Sequence, residues 1–195
     1  MFQFPRFSVA KRITLLSVLA SLLIGTTSVA MADIQPPLTQ VVVGETYFTR
    51  YNFWVEKERH VTTNYSRGEL IPVNTRVSVQ SIGSKKMVLD VNGRPITIVN
   101  VRKHTQRPIT EVASEMLSPS PIKLSLVPSS IRGDLQSGLL RLGMSKELAI
   151  MTRGYPPRHK TATTKANTWI YWSSRFVQRT IVFENGQLSR GRGLY

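Results

Sequence analysis

Cysteine is absent from all 195 residues. No disulfide framework can staple the chain and no thiolate can act as nucleophile or metal ligand. Nor is there a cysteine to acylate, so the chain is not expected to be a lipoprotein, and hydrophobic cores must carry its stability. Acids are scarce as well: 11 Asp and Glu stand against 26 Lys and Arg, a formal net charge of +15. Such a surface raises the local concentration of anions. The basic residues are spread along the chain with no block of five or more like charges, so the excess also fits a simple solvated surface. Three histidines, His60, His104 and His159, stand far apart and form no H-x-x-x-H or H-E-x-x-H pattern, so no metal site is expected. No G-x-S-x-G elbow, S-x-x-K motif or phosphate-cradling glycine loop occurs, and nothing isolates a pair of carboxylates. These absences point away from an enzyme and from any cofactor.

The N-terminus carries the strongest positive signal. Arg6, Lys11 and Arg12 precede an apolar run from Ile13 to Ile24, and Ala30-Met31-Ala32 follows with the A-x-A pattern of a cleavage site. That is a secretory signal peptide over 1–32, its apolar core too short to span a bilayer. The mature chain is expected to start at Asp33 and to act in the periplasm or outside the cell. Cleavage removes three basic residues and no acid, leaving a net charge of +12. No second apolar run of membrane length follows.

Residues 33–43, with Pro36-Pro37, read as an extended leader. From 44 to 104 the texture is β. Aromatics crowd Tyr47 to Trp54, and Val73, Thr75, Val77 and Val79 alternate with period two. Asn92-Gly93 between two β-rich runs is a hairpin signal, because a type I′ turn needs positive φ at both central residues. Pro95 has no N–H and implies that the second strand opens at an edge or irregularly. Residues 105–129 read as a connector: a short helix from Thr110 to Leu117, with Thr110 as N-cap, and then Pro/Ser punctuation.

The part 130–195 reads as two helices and a hairpin. The first runs from Ser130 to Leu142, with Ile131, Leu135, Leu139 and Leu142 on one face and Gly143 as its stop. Ser145 caps the second, from Lys146 to Arg153, and Gly154 and Tyr155-Pro156-Pro157 end it. Thr168 to Ser173 is a strand with Trp169 and Tyr171 on one side and Ile170 and Trp172 on the other. Phe176 to Phe183 pairs with it, and Asn185-Gly186 turns into a last strand at Leu188.

The segment from Arg153 to Lys160 is the clearest candidate for a binding surface. A glycine and two prolines restrain an aromatic and four basic side chains, and Tyr and Arg are favoured in binding hot spots. The candidate partner-binding residues are Arg153, Tyr155, Arg158 and His159, with Trp172 and Arg175 on the nearby sheet face. A helix C-cap with solvated charges explains the same residues. The cluster Arg50, Tyr51, Phe53, Trp54, Lys57 and Arg59 has the composition of a single-strand nucleic-acid binder. It reads equally as the core of a small barrel, and nucleic acid is not an expected partner in an exported protein.

The tract Leu142-Gly143-Met144-Ser145-Lys146-Glu147 through Gly154-Tyr155-Pro156, then Trp169-Ile170-Tyr171, Ile181-Val182-Phe183 and Asn185-Gly186, resembles the BamE/SmpA/OmlA family of small outer-membrane assembly proteins over about sixty residues, from Ser130 to Arg190. The resemblance implies two helices on a small antiparallel sheet and an accessory role in the cell envelope. It departs in one respect: members of that type are commonly anchored by a lipidated cysteine. More weakly, 44–102 resembles bacterial SH3-like domains through Gly68-Glu69-Leu70-Ile71-Pro72-Val73-Asn74-Thr75, which implies a small barrel binding peptides or cell-wall material. The expected fold class is therefore α+β, an SH3-like β-barrel followed by a BamE-like two-helix and antiparallel-sheet domain. The expected function is that of a non-catalytic envelope adaptor binding other envelope proteins. The alternative is a peptidoglycan-binding module, and an anionic lipid surface is a further candidate partner.

Overall fold

The structure, a computed structural model, describes Met1, residues 37–192 and Leu194. Met1 apart, the expected signal peptide lies outside the described residues, as do leader residues 33–36. Among the described residues no helix is long and apolar enough to cross a membrane.

The fold is α+β. Strands β1 (Thr46–Thr49), β2 (Phe53–Val55), β3 (Arg59–Val61), β4 (Glu69–Ile71), β5 (Arg76–Ile82), β6 (Lys86–Val91) and β7 (Arg94–Val99) come first. Helices α1 (Arg102–Thr105) and α2 (Ile109–Met116) and the short strand β8 (Leu117–Ser118) complete this part. Six strands form one open sheet in the order β3-β7-β6-β5-β1-β8, curled into a half-barrel, and β2 pairs with β4 as a separate ribbon. The inward residues alternate as period two requires: Val77 and Val79, then Met87, Leu89 and Val91, then Ile96 and Ile98, all buried. Asn92 and Gly93 have φ of 56° and 80°, and Val91 pairs with Arg94 across them, as a two-residue primed turn demands. Pro95 costs the sheet nothing, because β3 reaches β7 only from Thr97 onward.

Two local expectations are corrected here. The alternation from Val73 to Val79 is not one strand: β4 ends at Ile71 and β5 begins at Arg76. Asn74 between them sits at φ 65°, its side chain donating to Ile122 O (2.8 Å) and accepting from Ile122 N (2.8 Å). Helix α2 starts at Ile109 behind Pro108, so Thr110 lies inside it and is not its cap. The helix buries Ile109, Val112, Ala113 and Met116 in the first core, and β8 pairs with β1. The first core thus runs on to Leu117, past residue 104.

After a 3-10 turn at Leu124–Leu126 come α3 (Ser129–Gln136), α4 (Lys146–Arg153) and strands β9 (Thr168–Trp172), β10 (Gln178–Glu184) and β11 (Gln187–Gly191). The three strands form an antiparallel sheet in the order β11-β10-β9. Trp169, Tyr171, Ile181, Phe183 and Leu188 on its inner face meet Leu135, Met144, Leu148, Ala149 and Met151 in a second core. Ser145 Oγ accepts from Leu148 N (3.3 Å) and Gly154 ends α4, both as the sequence implies. Helix α3 stops early, at Gln136 and not at Leu142. Gly138 at φ 70° donates to Leu135 O (3.1 Å) while Leu139 N reaches Asp134 O (2.8 Å), the Schellman pattern that closes a helix. Leu139 and Leu142 are left exposed. The strand expected from Phe176 begins two residues later, at Gln178.

The two cores are interlocked. Val73, from the first part, is buried in the second core, and Tyr155, from the second, packs on the first.

Candidate functional site

The joint between the two parts positions Arg153, Tyr155, His159 and Trp172. Its centre is Asn52, fully buried. Its Nδ2 donates to Leu135 O (2.6 Å) and Thr152 O (3.1 Å), its Oδ1 accepts from Val73 N (2.7 Å), and its own N–H donates to Met151 O (2.9 Å). One side chain thereby satisfies the ends of α3 and α4 and the chain between β4 and β5. Asn64 repeats the device, donating to Arg153 O at 2.7 Å. Side chains of the first part press so closely on the second that a Cβ on Gly138 would lie 2.6 Å from Trp54 Cζ2, and one on Gly154 2.8 Å from Asn64 Nδ2.

This joint explains where four of the six candidate residues go. Arg153 faces inward. Its guanidinium stacks 4.7 Å from the Trp54 ring centre, Nη2 donates to Ser66 Oγ (2.6 Å), and burial pushes its pKa down to about 10. Tyr155 meets Tyr51 edge-to-face at 5.9 Å. Both side chains are half-buried where the two parts meet, and Tyr155 still lines the cleft between them. His159 stacks on His104 (4.4 Å between ring centres, 21° between planes), its N–H donates to His104 O (3.2 Å), and Trp172 lies 6.1 Å beyond. Burial, then the neighbouring His159 and Lys103, depress the His104 pKa. Arg158 and Arg175 are exposed. His60 is buried against Phe53 at the wall of the cleft between the two parts, where Nδ1 bonds Trp54 O at 2.9 Å and burial lowers its pKa to about 4. The carbonyl can only accept, so Nδ1 carries the proton and the ring is neutral.

What remains outward belongs to a stretch of chain of one sign. Between Glu147 and Glu184 the chain contains no acid, while Arg153, Arg158, Lys160, Lys165, Arg175 and Arg179 all fall there. Arg158, Lys160, Lys165 and Arg175 are exposed, and among the described residues none of these four has an ion-pair partner. The β9–β10 turn lies in this stretch, closed by Ser173 N donating to Val177 O (2.8 Å). Phe176 and Val177 at its tip are 85% and 51% exposed, with the Arg175 guanidinium 5.5 Å from the Phe176 ring centre. Sequence reasoning assigned Phe176 to a paired strand. The signal it missed is the pair Ser173-Ser174, whose backbone and hydroxyl bonds shape the turn.

Behind the loop lies a cleft of about 110 Å³ between the two parts, walled by Tyr51, Thr62, Arg107, Glu115, Tyr155, Arg158 and the threonines near 161–164. Arg107 pairs with Glu115, and burial followed by repulsion from Arg158 lowers its pKa. Such an arrangement can hold and orient a polar ligand. Compared with family models, with curated proteins and with solved structures, the chain has no significant match.

Proposed function

We propose that this protein is an exported, non-catalytic adaptor of the cell envelope that binds other envelope proteins. It would do so through the acid-free surface formed by the 158–165 loop and the 173–177 turn. The observation that carries the reading is the tip itself. An aromatic and a valine stand in solvent at the end of a hairpin, with the unpaired Arg175 beside the ring. A large exposed apolar side chain rimmed by charge is how a docking site presents itself on a soluble domain. The complementary partner has an acidic surface with an apolar hollow for Phe176. The joint supports the same reading, since Asn52, Asn64 and Arg153 fix the surface rigidly relative to the six-stranded sheet. The resemblance of 130–190 to the BamE/SmpA/OmlA family, with two helices beside a small antiparallel sheet, agrees with an assembly accessory.

The test replaces Phe176 with a photo-crosslinking phenylalanine in the full-length chain in its own cells. A discrete envelope-protein adduct that Arg158→Glu diminishes is the expected result. Irradiation that yields no protein adduct while the chain stays with the envelope would refute the adaptor reading and turn attention to the cell wall.

A further inference from the structure

The cleft between the two parts carries an inference separate from the exposed tip. Two guanidiniums face it, Arg107 and Arg158, close enough for each to be felt by the other. Arg107 is ion-paired to Glu115 and, more loosely, to Glu111, whereas Arg158 has no ion-pair partner among the described residues, so Arg158 is the guanidinium left to take a further carboxylate. Arg107 spends one nitrogen on Glu115. Its Nε is buried with no hydrogen-bond partner, Glu111 Oε2 standing 3.9 Å away, beyond bonding reach. A buried cationic donor left unsatisfied costs more than a neutral one, so Arg107 is not saturated by its two carboxylates. The rest of the wall supplies orientation: the Tyr51 and Tyr155 rings on one side and the 161–164 threonine hydroxyls on the other. About 110 Å³ is too little for a drug-sized ligand and suits one short acidic group.

We propose that this cleft is a carboxylate-binding site that receives one acidic group of a polypeptide, either an Asp or Glu side chain or a free chain end. Arg158 is the mobile clamp, because it is exposed and unpaired. Arg107, held by Glu115, is the fixed donor, and its partner keeps it from collapsing across the cleft. The adaptor reading supplies the polypeptide, but the site does not depend on Phe176, and the two can fail separately.

Three acetylated Gly/Ser peptides test it by titration into the ¹⁵N-labelled mature protein. One carries a central Glu and an amidated end, one a free C-terminal carboxylate, and one is neutral throughout. Saturable amide shifts at Thr161, Thr163, Thr164 and Tyr155 are expected with at least one acidic peptide, and the pair of acidic peptides separates side chain from chain end. Arg158→Gln, at an exposed position that leaves the fold intact, is expected to weaken that binding about tenfold, as loss of a charge-assisted pair does. Shifts of equal size with the neutral peptide, or none with any of the three at millimolar concentration, would overturn the proposal. So would unchanged binding in Arg158→Gln.

Discussion

His60 makes the acid stability of this protein a quantitative consequence of one buried ring. Its pKa in the fold is about 4, against 6.5 for an unperturbed imidazole, because burial disfavours the cation. The folded pKa is the depressed one, so as pH falls the unfolded chain takes up the proton first. Stability is fully present above pH 6.5, declines between 6.5 and 4, and levels off below. A difference of about 2.5 units at 1.36 kcal/mol each predicts a loss of roughly 3 kcal/mol across that window. That is a large share of the 5–15 kcal/mol typical of a domain. The assay is urea unfolding at half-unit intervals from pH 7.5 to 3.5 for the wild type and for His60→Leu, a replacement of similar volume. The variant loses the bond to Trp54 O, a cost that does not depend on pH, and the carboxylates titrate alike in both chains. The difference between the two curves therefore isolates the ring and should narrow by about 3 kcal/mol on acidification. A difference that stays flat from pH 7 to 4 would refute the reasoning, since it would mean that the folded ring takes up its proton as readily as the unfolded one.

The joint yields three more outcomes. Asn52→Ala leaves Leu135 O, Thr152 O and Val73 N buried without their partner, and should cost about 3–5 kcal/mol in denaturant unfolding. Gly138→Ala meets both a left-handed φ and the Trp54 ring, and should cost about 2–3 kcal/mol; adding Trp54→Ala should relieve the steric share, which a double-mutant cycle would read as coupling. Because Val73 and Tyr155 are exchanged between the cores, far-ultraviolet circular dichroism and tryptophan fluorescence should follow a single transition, and two separated transitions would contradict the interlock.

Much of the local structure was readable from residue types alone. Ser145, Glu147 and Gly154 bracket α4; Asn92-Gly93 and Asn185-Gly186 make their turns; Trp169 and Tyr171 face the core of β9. These depend on neighbours within a few positions, where backbone preference decides. Most of what escaped depends on distant chain. The turn between β2 and β3 is the exception: it puts Lys57 and Glu58 at φ 51° and 57°, a conformation that neither residue favours and that paired backbone bonds between Glu56 and Arg59 close without any Asn-Gly signal. Helix α3 is cut short at Gly138, which must also clear Trp54, far away in sequence. The candidate loop was legible as restrained, through its glycine and prolines. Which side chains it would turn inward was not, because Arg153 finds Trp54 and Ser66, and His159 finds His104, only once the two parts have met.

The adaptor reading stands or falls on the charge of the acid-free surface. The most direct measurement compares the photo-crosslink from position 176 in two full-length chains, one otherwise wild-type and one carrying Arg158→Glu, Lys160→Glu and Arg175→Glu, with equal thermal stability checked first. The account predicts a discrete protein adduct in the former that falls at least tenfold in the latter. An adduct of undiminished yield in the charge-reversed chain would contradict it.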